Sequence, residues 1–272
     1  MSVIIVGVLN LTPDSFSDGG RFDSVENAVA AGLDMVAEGA RWIDVGGEST
    51  RPGAQPVSEA EEMERVLPVI TRLAATLGSR ARLSVDTYKA GTARAALAAG
   101  ATVVNDISGG TLDPDILRVA AAAGATVVLG HLRGVPATMM ENVHFDDVVV
   151  EVADELGLRM EAAKAAGCQA VWVDPGIGFG KYLGHNLRLL ADLPGLRRRL
   201  LAPVMVGVSR KRFIGDVTGK PAGDRLFGTA AAVAAAVLGG ADAVRVHDVK
   251  EMRDVVRVSE AIASTRVGQE KH

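Results

Sequence analysis

Short apolar runs in this chain end, one after another, on side chains that can hydrogen-bond or carry charge. In order these are Asn10, Glu48 with Arg51, Asp86, Asn105, His131, Asp174, Lys211, and Arg245 with His247. By charge they sort into two kinds of contact. Asp86, Asn105 and Asp174 offer acceptors and one amide, which suit a neutral heterocycle rich in N–H donors because a carboxylate can pair two donors at once. Arg51, Lys211, Arg245 and His247 suit an anion such as phosphate. Asn10 is a hard oxygen ligand at the mouth of a loop rich in Asp, Ser, Pro and Gly. Magnesium takes few protein ligands, keeps waters and leans on substrate phosphates, and one Asn is compatible with that. No His and Cys cluster has zinc spacing. His144, His185 and His272 read as capping or surface residues.

The elements that must position these groups follow from the hydrophobic period. Strands are predicted at residues 3–9, 42–45, 82–85, 102–104, 125–129, 170–173, 203–208 and 243–246. Helices are predicted at 25–38, 58–77, from 113, and at 90–99, 145–166, 185–193, 225–238 and 249–263. Gly39 and Gly100 stop two of them, Ser58 with Glu61 reads as a capping box, and Pro68 is a candidate kink. Eight strands alternating with eight helices imply a parallel sheet that can close on itself, so the fold expected is a single (β/α)8 TIM barrel over residues 1–266, with 267–272 a frayed tail. A doubly wound open sheet is the runner-up, weakened because no strand leads into GxGxxG and a helix. In such a barrel active sites sit at the C-terminal strand ends, where the polar residues fall. Residues two apart on a strand share a face, so Arg245 and His247 point together into the mouth while Val244 and Val246 pack on helices.

Composition narrows the class. The chain has 272 residues with 48% hydrophobic residues and a net charge of -4, which supports a large core and argues against a general nucleic-acid surface. The one cysteine, Cys168, permits no internal disulfide and points to a reducing, cytoplasmic setting; it reads as a small buried hydrophobe. No signal-peptide pattern opens the sequence, and the longest apolar stretch, at 230–238, is too short to span a bilayer.

Seven segments carry a resemblance. GVLNLTPDSFSDGG from Gly7, DVGGESTRPGA from Asp44, SVDT from Ser84, NDISGG from Asn105, DPGIGFGK from Asp174, SRKRFIG from Ser209 and RVHDV from Arg245 occur in order. Together the chain resembles the dihydropteroate synthase family over nearly its whole length. The resemblance implies condensation of a dihydropterin pyrophosphate with p-aminobenzoate, giving dihydropteroate and pyrophosphate. It places Asp86, Asn105, Asp174 and Lys211 on the pterin, Arg245 and His247 on the pyrophosphate, and Asn10 on Mg2+. Lys211, Arg245 and His247 are the residues it implies in catalysis. Thr50 and Arg51 fall in a second loop, and Phe16, Arg51, Pro52 and Phe179 match positions enclosing the aminobenzoate. A homodimer is implied by resemblance alone, with small-molecule substrates and no nucleic-acid or membrane partner. Two departures stand out. Gly130 replaces a Met common before the strand-five His, leaving space beside the pterin unless a neighbour fills it. Arg212 stands where some members have Ser. A short segment ahead of strand one suggests a more exposed barrel floor. An inactive pterin-binding relative and the pterin-binding domain of a corrinoid-linked methyltransferase are the alternatives.

Overall fold

The computed structural model describes residues 2–12, 21–51 and 53–268, with side chains from 25 onward in the first helix and to 265 in the last. In chain order the elements are β1 (Ile4–Asn10), α1 (Arg21–Glu38), β2 (Trp42–Gly46), α2 (Glu59–Leu77), β3 (Arg82–Asp86), α3 (Ala90–Ala98), β4 (Val103–Asp106), α4 (Asp115–Ala122), β5 (Thr126–Gly130) and α5 (Val148–Ala165). Then follow β6 (Ala170–Asp174), α6 (Leu183–Ala191), α7 (Leu193–Leu200), β7 (Met205–Gly207), α8 (Arg212–Thr218), α9 (Leu226–Leu238), β8 (Ala243–Val246) and α10 (Val249–Gly268).

The eight strands are parallel, in the order β6-β5-β4-β3-β2-β1-β8-β7. The ring closes between β6 and β7 through one parallel bridge, Val173 to Val204, where the Val173 N–H donates to the Pro203 carbonyl at 3.0 Å. The expected barrel is therefore observed. Ser58 caps α2 by accepting the Glu61 N–H at 3.2 Å, but the Glu61 carboxylate pairs with Arg65 instead of reaching back, so only half of the capping box forms. Pro68 lies inside α2 without ending it. The helices α7 and α8 were not anticipated, α10 runs past residue 263 to Gly268, and β7 is shorter than expected.

Strand parity divides the core in two. The larger cluster lies between strands and helices and includes Val45, Val85, Val104, Val127, Val173, Val206, Val244 and Val246. A second cluster of Val6, Trp42, Val103, Val128, Met205 and Ala243, joined by Ile4 and Trp172, plugs the barrel interior. Trp42 and Trp172 meet edge to face at 5.1 Å, and the Arg82 guanidinium covers Trp42 at 5.2 Å. This is the side-chain layering by which a barrel of this size fills its own lumen. Truncating Met205, which is 1% exposed in that plug, to Ala is expected to cost roughly 2–5 kcal/mol. Urea unfolding at unchanged slope would measure it; no loss would mean that the interior layer is not close-packed.

Candidate active site

One step of two residues along six of the strands leads from the apolar plug to the mouth. Trp42 is followed on the same face by Asp44, Val103 by Asn105, Val128 by Gly130, Trp172 by Asp174, Met205 by Gly207 and Ala243 by Arg245. Three of these side chains meet. Arg245 Nε donates to Asp44 Oδ2 at 2.5 Å and Arg245 Nη2 to Asp86 Oδ2 at 2.7 Å, while Asn105 Nδ2 donates to Asp44 Oδ2 at 2.9 Å. A Cβ added at Gly207 would sit 3.6 Å from Lys211 Nζ, 3.7 Å from Asp174 Oδ2 and 3.8 Å from Arg245 Cβ. One at Gly46 would sit 3.5 Å from Asp86 Oδ2 and 3.7 Å from Asn10 Oδ1. Asn10, Asp86, Asn105, Asp174, Lys211 and Arg245 thus gather around one opening.

Burial governs the charges there. Desolvation pushes the Asp86 carboxyl up to about 7, against the pull of Arg245 and with help from the negative charges of Asp44, Glu62 and Asp106. Burial also raises Asp174, opposed by Lys211, and lowers the Lys211 ammonium to about 8, opposed by Asp174. Arg245 stays firmly charged: its two acids outweigh its own desolvation.

Arg245 was expected among the anion-holding cations, apart from the acids. The structure places it between two of them. Asp44 is the functional candidate that motif reading missed, and its parity with Trp42 was the available signal. It is 1% exposed, and its Oδ1 has no hydrogen-bond partner among the described residues.

The chain turns after β7 at Arg210, a non-glycine residue with φ +57° held by Asp248 and by the Thr229 hydroxyl. That turn sends neighbouring side chains in opposite directions. Ser209 Oγ accepts the His247 N–H at 3.1 Å and lies 3.0 Å from its Nδ1. A serine hydroxyl donating to Nδ1 leaves the proton on Nε2. Burial and the charges of Arg245, Arg210 and Arg51 lower His247 to about 4, so it is neutral near pH 7. Lys211 instead crosses to the loop after β6, where its ammonium donates to the Ile177 carbonyl and lies 4.6 Å from the Phe179 ring.

Two expected rim residues belong elsewhere. Glu48 accepts from Tyr88 Oη at 2.7 Å and pairs with Lys89, which also reaches Glu62 Oε2 at 3.1 Å. With Arg65 on the Gly47 carbonyl at 2.7 Å, this cluster anchors the root of the loop carrying Thr50 and Arg51. His131 has the opposite parity to Gly130 and is wholly buried, bonded to Glu155 and Lys181. Thr50 is half-buried and Arg51 exposed. Phe16 and Pro52 lie outside the described residues.

Gly130 leaves no hole, because a Cβ there would lie 2.6 Å from Ile107 Cα; the Ile107 main chain fills the space. Arg212 points outward, with Asp216 at 3.6 Å. Cys168 is buried with its thiol on the Leu117 carbonyl, and burial pushes its pKa up, as an inert thiol requires. His185 sits in the capping box of α6, and His144 is exposed. No group of three or more His, Cys, Asp or Glu among the described residues could hold a metal. No described helix is long and apolar enough to cross a membrane.

Residues 6–247 match the family described as "Pterin binding enzyme". The chain is 45% identical over 276 residues to a mitochondrial folate synthesis bifunctional protein of Arabidopsis thaliana, covering 96% of this chain and 50% of the relative. It is 45% identical over 261 residues to dihydropteroate synthase of Synechocystis, covering 95% and 89%. It therefore spans about half of the bifunctional relative and most of the single-function one. Xanthomonas albilineans dihydropteroate synthase, solved with 4-aminobenzoic acid, superposes with a TM-score of 0.89 at 45% identity, covering 96% of this chain and 93% of that one.

The raised pKa of Asp86 makes a signed prediction. A carboxyl whose folded pKa lies above its unfolded value contributes stability below pH 3.8 that is lost as pH rises through about 7. The stability of Asp86→Asn relative to wild type should therefore rise between pH 4 and pH 7.5. Denaturation midpoints across that range would show it, and a flat difference would refute the shift.

Proposed function

The chain belongs to the pterin-binding enzyme family, among the dihydropteroate synthases, and on that premise we propose that it condenses 6-hydroxymethyl-7,8-dihydropterin pyrophosphate with p-aminobenzoate to give 7,8-dihydropteroate and pyrophosphate. The observation that carries the proposal is the ring of Asp44, Asp86, Asn105, Asp174, Lys211 and Arg245 at one barrel mouth. A flat heterocycle with several N–H donors fits acceptors fixed on successive strands, and the missing side chain at Gly207 leaves room between Asp174, Lys211 and Arg245.

The roles follow from charge. Asp174 and Asp86 accept pterin N–H groups, and their negative charge stabilises an electron-poor ring as the methylene carbon–oxygen bond breaks. Asp174 is held for this by the Gly176 N–H on its Oδ1 at 2.7 Å. Lys211, beside Asp174 at the Gly207 opening, donates to the pterin. Arg245 brings permanent positive charge to the departing pyrophosphate. Being neutral, His247 contributes an Nε2–H donor to a phosphate oxygen. Aminobenzoate needs no strong base, because an aniline amine is already unprotonated near neutral pH. Phe179, with Phe16, Arg51 and Pro52, would enclose its ring, and the loops bearing them would exclude water that would otherwise capture the cation.

Magnesium belongs to this proposal through Asn10. Its amide oxygen has no protein partner among the described residues and lies beside Asp86 across Gly46, a sparse, hard donor set of the kind magnesium accepts when phosphates supply the rest. When bound, magnesium would neutralise charge on the pyrophosphate. A homodimer is supported by the exposed apolar Phe227 on α9 and Val258 and Ile262 on α10. A cytoplasmic location is in keeping with one free, buried thiol.

Turnover with the pterin pyrophosphate, aminobenzoate and magnesium tests the activity. Release of pyrophosphate with formation of dihydropteroate is the outcome expected; pterin binding without turnover would favour an inactive relative. Asp174→Ala should weaken pterin binding by on the order of 1.5–3 kcal/mol, the range for a charged hydrogen bond. Unchanged affinity in calorimetry would remove Asp174 from the pterin site.

A further inference from the structure

Lys181 is a buried amine, 3% exposed, with no carboxylate within ion-pairing distance among the described residues, and burial lowers its pKa well below the usual lysine value. Main-chain oxygens surround it instead. Its Nζ lies within hydrogen-bond reach of four acceptors, the carbonyls of Gly176 at 3.0 Å, Phe179 at 3.0 Å and His131 at 3.3 Å and His131 Nδ1 at 3.0 Å, so at least one N–H is shared between two of them. Glu155, with its pKa lowered to about 2, is an ionised carboxylate that can only accept from His131 Nε2 at 3.1 Å, which leaves Nδ1 to accept from Lys181. Glu155 is in turn held by Arg133. The wire runs from the surface of α5 to the inside of the loop between β6 and α6.

That loop is wound around the Lys181 amine. Gly176, Gly178 and Gly180 all have positive φ, and a Cβ at Gly176 would fall 1.9 Å from the His131 carbonyl. Asn186 fixes the outer side: its Oδ1 accepts the Gly178 N–H at 2.7 Å and its Nδ2 donates to the Lys181 carbonyl at 3.1 Å. The opposite face of the same turn presents the Ile177 carbonyl and the Phe179 ring to Lys211. The two carbonyls of this turn that face inward onto Lys181, those of Gly176 and Phe179, therefore set where the Ile177 carbonyl and the aromatic ring point.

We propose that Lys181 is a positioning residue for the aminobenzoate half of the site, acting through the main chain of residues 176–179 to place the Phe179 ring. Without its donors, the carbonyls of Phe179 and His131 would be buried unpaired, that of Gly176 would keep only the Phe179 N–H at 3.0 Å, and the loop would rotate to hydrate them. The proposal rests on the synthase reading. Wild-type turnover measured alongside separates a failure of that reading from a failure of this role.

Lys181→Met keeps the stem and removes the donors. It should raise the KM for aminobenzoate by about tenfold or more and lower kcat, while the Kd for the free pterin stays within about threefold. Lys181→Gln, which retains one donating amide, should fall between Met and wild type. An unchanged aminobenzoate KM in the folded variant would overturn the proposal. So would equal losses for both ligands, which would mark a general structural defect. If neither variant folds, hydrogen exchange of the unliganded wild type decides: amides of residues 176–179 should be protected like those of the strands. Exchange at the rate of an open loop would overturn it.

Discussion

Opposite charges buried together at the barrel mouth are the constraint on which the rest of the site depends. Asp44, Asp86 and Arg245 come from β2, β3 and β8, and their bonds are made where water is largely excluded. Burying each charge alone would be prohibitive, and removing one partner from such a group typically costs roughly 3–5 kcal/mol because the others stay unpaired. The strands must therefore hold their register for the charges to meet. Register in turn is set by the apolar plug below, since a slip of one residue would turn Trp42, Val103 and Ala243 onto the helices. Core packing and site chemistry are one arrangement, separated by a single pleat.

The same arrangement explains why the mouth is poised between two charge states. Lys211 is lowered and Asp86 and Asp174 are raised by the same lack of water, and each is partly restored by its neighbours. A ligand bringing N–H donors to the acids and an anion to Arg245 supplies what burial has withdrawn. The site is thus complementary to a molecule that is electron-poor at one end and negative at the other, which is the shape charge takes when a carbon–oxygen bond to pyrophosphate breaks.

Much of this was legible in the sequence. Alternating strand and helix patterns were long enough to reveal eight units, and strand ends carrying Asp86, Asn105, Asp174 and Arg245 marked the mouth. What was hidden had physical reasons. In α7, three consecutive arginines obscure an apolar face of Leu193, Leu196 and Leu200, and α8 is only two turns long. Asp44 sits mid-strand, away from the polar strand ends that mark the mouth, although its parity with Trp42 places it inward. His131 and Glu48 lie at strand ends but bond to groups that no sequence pattern announces: a buried lysine and a lysine–glutamate pair from other elements. Gly130 looked like a missing side chain, yet its neighbour's backbone occupies the gap, which only three-dimensional contact can reveal.

The closure between β6 and β7 is the thinnest part of the ring, one bridge against ladders of three to five residue pairs elsewhere. Asp174 stands on one bank of that seam and Lys211 on the other, and the ammonium's reach to the Ile177 carbonyl is a strap across it. A guest gripped by both banks would act as a rivet at the weakest join. Occupancy and stiffness of the whole cylinder would then rise together, without any hinge having to move.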